Sequence, residues 1–143
     1  MTNPVSPTSL TPEFKQLDRD HEELHAVLSD VSKHIALGAP NLSDSLILLI
    51  GCLSAHFRRE ETIMEKLGYN ALAIHRKQHA VLERGFKDVL RDIEMGRFSE
   101  TTKALYQVFE ESLEKHNTQS DSLLLVADDN RQTSETLEAA MQH

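Results

Sequence analysis

The side chains with most chemical capacity in this sequence fall at spacings that gather them on helix faces. His56 and Glu60 are four residues apart, and so are His75 and His79, so each pair offers two ligating groups from one face of a helix. His116 and Asp121 make a third pair, spaced five apart. An ideal helix would splay that pair by about 140°. A local π-type widening would return the two to a common face, and such widenings often mark functional sites. His21 lies on a separate segment, with His25 four residues after it. Five imidazoles and two carboxylates suit iron, zinc or copper better than magnesium or calcium, which prefer oxygen ligands. Seven ligands are too many for one tetrahedral ion, so they imply two. Two octahedral ions bridged by both carboxylates and by an oxo or hydroxo group would be filled by the histidines at all but one position. That position is left for a small-molecule ligand.

The apolar residues show which elements carry these groups. The first stripe runs Phe14, Leu17, His21, Leu24, Leu28, Val31, Ile35, in steps of three and four. Thr11-Pro12-Glu13 opens it with a capping hydroxyl, a first-turn proline and an acid at the positive helix end. The run Leu37-Gly38-Ala39-Pro40-Asn41 closes it. Ser43 is expected to cap a second helix with the stripe Leu46, Leu49, Leu53, His56, Glu60, Ile63, Leu67. After a turn at Gly68-Tyr69-Asn70 the third stripe is Leu72, His75, His79, Leu82, Phe86, Val89, Ile93. A turn at Met95-Gly96-Arg97 and a cap at Ser99 lead to Leu105, Phe109, Leu113, His116, Asp121 and Leu124 or Leu125. Four helices of roughly 20–28 residues joined by short turns predict an all-α fold, an up-down-up-down antiparallel four-helix bundle.

The polar candidates therefore occupy core positions. A buried imidazole or carboxylate without a partner costs several kcal/mol, and several together would outweigh a typical stability of about 5–15 kcal/mol. Something has to satisfy them jointly. At a rise of about 1.5 Å per residue, alternating helix direction puts all seven in one slab, roughly 6–17 Å from the same end of the bundle.

Composition narrows the class. The chain has 143 residues, one domain's worth, with only five glycines and four prolines. The divisions expected are a flexible arm over 1–11, the bundle over 12–126 and a polar tail or linker over 127–143. Net charge is −8 and no basic cluster stands out, which argues against nucleic acid. The apolar runs are too short to span a bilayer and no export signal is visible, so no membrane is expected. The single cysteine, Cys52, fits a reducing compartment and is expected to be a small buried hydrophobe; cytoplasmic localisation follows as the expectation. His34 and His143 are expected at the surface. His25, four residues after His21, is either the alternative ligand from the first helix or a group that orients one.

The segments Leu17-Asp18-Arg19-Asp20-His21, His56-Phe57-Arg58-Arg59-Glu60-Glu61-Thr62-Ile63-Met64, His75-Arg76-Lys77-Gln78-His79 and His116-Asn117-Thr118-Gln119-Ser120-Asp121, in that order, resemble the hemerythrin family, its bacterial members above all. The resemblance covers about residues 12 to 126. It implies His75, His79 and His116 on one iron, His21 and His56 on the second, and Glu60 and Asp121 bridging both. It also implies two iron ions (Fe2+/Fe3+) with a bridging oxo or hydroxo, and dioxygen bound reversibly at the second iron. Leu24, Phe57, Ser112 and Leu113 would line the ligand pocket. The sequence departs from the family where Ser112 stands in place of a common tryptophan, Asn117 in place of isoleucine and Asn70 in place of proline. A smaller, more polar wall would shorten the life of an oxygenated form.

Two functions are expected from the resemblance, neither of them enzymatic. One is an oxygen carrier or store. The other is a sensor of oxygen, nitric oxide or redox state, cut from a longer signalling protein such as a diguanylate cyclase or chemotaxis receptor, with iron state controlling a fused or associated output domain. A ferritin-like oxidase would carry more glutamate and Glu-x-x-His spacing, which is absent here.

Overall fold

The computed structural model describes residues 11–38 and 40–119. It contains helices α1 (Thr11–Leu37), α2 (Leu42–Lys66) and α3 (Leu72–Glu94), followed by α4 over 100–119. No strand occurs among the described residues. The helices form the expected four-helix bundle. Helix α2 packs against α1 and α3, Phe109 of α4 lies on Gly85 of α3, and the Tyr106 hydroxyl of α4 donates to the Leu28 carbonyl of α1 at 3.3 Å. Asp121, the widening expected after His116, residues 1–10 of the expected arm and everything beyond 119, the expected tail over 127–143 included, lie outside the described residues.

Short reversals are possible because the helix ends are built from local hydrogen bonds. At the end of α2, Gly68 takes φ 66°. Its N–H donates to Glu65 O at 3.1 Å and that of Tyr69 to Met64 O at 2.9 Å. The end of α3 repeats the pattern at Gly96. A left-handed residue after the last turn satisfies two orphan carbonyls, and glycine adopts it without a Cβ penalty. Ser99 caps α4 as expected: its Oγ accepts from Thr102 N at 3.4 Å while Thr102 Oγ1 accepts from Ser99 N at 3.2 Å. Ser43 does not cap α2. The helix begins at Leu42, preceded by Asn41 without a side-chain cap. Leu42 is buried in the core, and the earlier start points it inward.

The buried residues follow the stripes and separate into two apolar clusters. The larger holds Leu24, Leu28, Val31, Leu46, Leu49, Leu53, Phe57, Leu82, Phe86, Val89 and Leu113 among others. The smaller, at the end where α1 starts and α2 finishes, is Leu17, Ile63 and Met64, with Phe14, Leu67, Tyr69 and Leu72 packed on it. On α1, α2 and α3, His21, Glu60, His75 and His79 fall between the residues of these two clusters, with His56 one turn before Glu60. The bundle thus carries a polar band across an otherwise apolar interior.

Two peripheral expectations change. His34 is half-buried, with Nδ1 2.7 Å from Ser45 Oγ, so it ties α1 to α2 instead of facing water. Cys52 is also half-buried and donates to Glu23 Oε1 at 3.7 Å. Burial and the adjacent Glu23 carboxylate push its thiol pKa up, so the thiolate is disfavoured.

Candidate metal centre

Glu60 is the hub of the polar band. Its side chain is 0% exposed, and three imidazole nitrogens approach it: His56 Nε2 at 3.3 Å, His79 Nε2 at 3.3 Å and His116 Nε2 at 3.8 Å. His79 Nε2 and His116 Nε2 lie 2.9 Å apart. On the other side the rings of His21 and His56 are 4.4 Å apart. Two groups result, His21–His56–Glu60 and Glu60–His79–His116, each with its ligating atoms within 4.8 Å of one another. Glu60 belongs to both.

Each side chain arrives by the geometry read from the spacing. One turn of α2 delivers His56 and Glu60, and one turn of α3 delivers His75 and His79. His75 is buried beside the second group, its ring 5.5 Å from that of His116 and 6.1 Å from that of His79. His25 is exposed and lies outside both groups, on the rim of a cavity of about 510 Å³ between α1 and α4. His21, Leu24, Leu28 and Asn117 also line that cavity, so it reaches the His21 side of the band.

Burial and neighbouring charge act differently on these groups. Burial alone would raise the Glu60 pKa, but the imidazoles of His116, His56 and His79 outweigh it and hold the carboxyl well below the usual carboxylate range. Burial lowers the pKa of His21 and of His75, which favours their neutral form. At His79 burial also acts downward, but contacts with the carboxylates of Glu60 and Glu61 prevail and raise it.

The donor set fits a metal. Among the described residues, neither oxygen of Glu60 and neither nitrogen of His56 has a hydrogen-bond partner of good geometry, although all four atoms are buried. Buried polar atoms left in that state cost free energy that a cation would recover. Two ligand atoms at about 2.1 Å from one ion and at right angles to each other stand roughly 3 Å apart. The separations around Glu60 are of that size.

Phe57 closes the band from the larger apolar cluster. It is fully buried and stacks on His79 at 3.8 Å with a 4° interplanar angle, and makes a T-shaped contact with His116 at 5.7 Å. Leu24 and Leu113 are buried in the same cluster. Ser112 is exposed, on the outer side of α4, lining a shallow groove of about 240 Å³ with Gln78, Val81 and His116.

Sequence reasoning missed two carboxylates. Glu61 Oε2 lies 2.8 Å from His79 Nδ1. Asp20, 7% exposed, lies 4.0 Å from His56 Nδ1 and is held by Arg59 and Gln16. Both are sequence neighbours of stripe residues and sit off the stripe themselves, so apolar periodicity could not find them. The available signal was an acid adjacent to two of the predicted ligands, Asp20 before His21 and Glu61 after Glu60.

An all-α bundle with buried histidine–carboxylate groups around one shared glutamate defines a cation-binding helical domain. The sequence matches the hemerythrin HHE cation-binding domain over residues 12–127, and the chain belongs to that family. Neither the curated proteins nor the solved structures gave a match. No helix among the described residues is long and apolar enough to cross a membrane.

Proposed function

We propose that this chain is a non-haem di-iron protein that binds dioxygen reversibly. The observation that carries the proposal is Glu60, a buried carboxylate common to two histidine groups. His21 and His56 would hold one iron, and His79 and His116, with His75 beside them, the other. Glu60 would bridge, and Asp121 is the second bridging carboxylate that the resemblance implies. Bound there, an iron pair would supply the reversible electron donation that dioxygen binding requires. The chain's own residues supply the rest. Phe57, Leu24 and Leu113 exclude water from the inner face of the band, and the cavity between α1 and α4 offers a small molecule a route to the His21 side. Glu22, His25 and Glu114 line that cavity together with Leu24 and Leu28, so the route is walled by both charged and apolar side chains. An imidazole-rich donor set favours binding over turnover, so the proposal is of a binding protein and not an enzyme.

One observation favours the sensor alternative. The groove beside Ser112 reaches His116 from solvent, which gives water a second approach and would shorten the life of an oxygenated form. A cytoplasmic sensor of oxygen, nitric oxide or redox state, acting through an output domain, is consistent with that.

The test is the visible absorption spectrum of anaerobically reduced, iron-loaded protein after air is admitted. An oxo-bridged charge-transfer spectrum that reverts when oxygen is removed supports reversible binding. Rapid, irreversible conversion to the diferric form favours the sensor. A chain that takes up no iron refutes both.

A further inference from the structure

We infer that Glu61 is a positioning residue for the metal centre: it fixes His79 in the tautomer that turns its Nε2 lone pair inward, while Asp20 places a negative charge behind His56 without a hydrogen bond to it. The inference rests on the proposed occupation of the band by metal, and concerns residues outside the ligand set.

The tautomer follows from hydrogen-bond chemistry. An ionised carboxylate only accepts, so the 2.8 Å contact between Glu61 Oε2 and His79 Nδ1 requires the proton on Nδ1. In a neutral ring Nε2 is then bare, and it is Nε2 that faces Glu60 and His116. Glu61 is anchored from its other oxygen, since Arg76 Nε donates to Oε1 at 3.3 Å. His75 is oriented by the same logic through the backbone: its Nδ1 donates to the Ala71 carbonyl at 3.3 Å.

Across the band the arrangement recurs in looser form. Asp20 accepts from Gln16 Nε2 at 3.0 Å and pairs with Arg59 Nε at 3.3 Å, leaving Oδ2 4.0 Å from His56 Nδ1. Each side of Glu60 therefore has a histidine with a carboxylate behind it and an arginine behind the carboxylate. A carboxylate placed behind a metal-binding imidazole fixes ring orientation and makes the ligand more basic. A more basic ligand favours the more highly charged ion. Removing the carboxylate should therefore make the oxidised centre less favourable, and removing the arginine should do the reverse.

The experiment uses the full chain with Glu61→Gln, Glu61→Leu, Arg76→Gln and Asp20→Asn. Nitrogen-15 NMR of the metal-free proteins reads the His79 tautomer at alkaline pH, where the ring has lost its second proton. The Nδ1-protonated form should dominate in the wild type and in Glu61→Gln, which keeps an oxygen acceptor, and should lose its dominance in Glu61→Leu. In the iron-loaded proteins the midpoint potential should rise in Glu61→Gln and fall in Arg76→Gln. Asp20→Asn should shift it in the same direction as Glu61→Gln but less, as its longer contact requires. Metal affinity should drop about 10- to 100-fold in Glu61→Leu, read by competition with a chelator. An unchanged His79 tautomer in Glu61→Leu, or potentials that move in the same direction for Glu61→Gln and Arg76→Gln, overturns the inference. A wild-type chain that takes up no iron refutes the proposed function instead, while the tautomers of the metal-free protein still decide the role of Glu61.

Discussion

Replacing Glu60 with glutamine should cost the protein both metal ions, whereas replacing a histidine of one group should cost one. Glu60→Gln nearly preserves side-chain volume at a fully buried site, so it changes charge with little change in packing. Of the three ligating residues in each group, Glu60 is common to both. Among these five residues it is the one whose loss removes a ligand from both groups. Loss of His21 leaves the Glu60–His79–His116 group whole, and loss of His116 leaves His21–His56–Glu60 whole.

The size of the effect follows from linkage. A metal held at a free concentration 1,000-fold above its dissociation constant stabilises the folded state by about 4 kcal/mol. For a domain of this length, about 3 °C of melting temperature accompanies each kcal/mol. Each ion should thus raise the midpoint by about 12 °C, and the pair by roughly twice that. Cobalt(II) is a suitable probe because the melt then involves no oxygen chemistry. Wild-type chain should gain the full increment on loading, His21→Gln and His116→Gln about half, and Glu60→Gln close to none. Metal analysis after gel filtration should give the same ranking. Two ions retained by Glu60→Gln, or a loss no greater than in His21→Gln, would refute the placement of Glu60 between two ions.

Two further outcomes concern the metal-free bundle. A Cβ at Gly85 would fall inside the van der Waals envelope of the Phe109 ring, so Gly85→Ala should destabilise by about 1–3 kcal/mol despite alanine's better helix propensity. In a Phe109→Ala background the same change should stabilise by up to about 1 kcal/mol, and denaturant midpoints showing no reversal of sign would count against that contact. The pH dependence follows from the histidines. His21 and His75, with folded pKa values below the unfolded value of about 6.5, bind fewer protons when folded, so their contribution is lost as pH falls below that value. His79, raised, contributes stability that is present below about pH 6.5 and is lost as pH rises through its folded pKa. Metal-free His79→Gln should therefore lose stability between pH 8 and 5.5 more steeply than wild type. Urea titrations giving an equal or shallower slope would contradict this.

The helices were legible because their apolar stripes step by three and four without interruption, from Phe14 to Ile35 and from Leu72 to Ile93. Their boundaries were less so. Ser43 has the better capping side chain, yet burying Leu42 decides where α2 begins. Tertiary packing outweighed a cap worth about 1 kcal/mol.

The metal-binding candidates were legible for the same reason as the core. His56, Glu60, His75, His79 and His116 are polar residues in apolar positions, and burial of that kind demands a joint explanation. Glu61 and Asp20 give no such signal, because a carboxylate one residue off the stripe is expected to face water. Their burial comes from what they touch across helices: Glu61 on α2 meets His79 and Arg76 on α3, and Asp20 on α1 meets His56 and Arg59 on α2. Periodicity along one helix locates the groups that point inward. The groups behind them depend on how neighbouring helices are rotated and offset, which no single stripe encodes. The two kinds of residue should also answer differently to substitution. Loss of a group on the stripe should change how many ions are held, whereas loss of Glu61 should change how tightly and at what potential they are held.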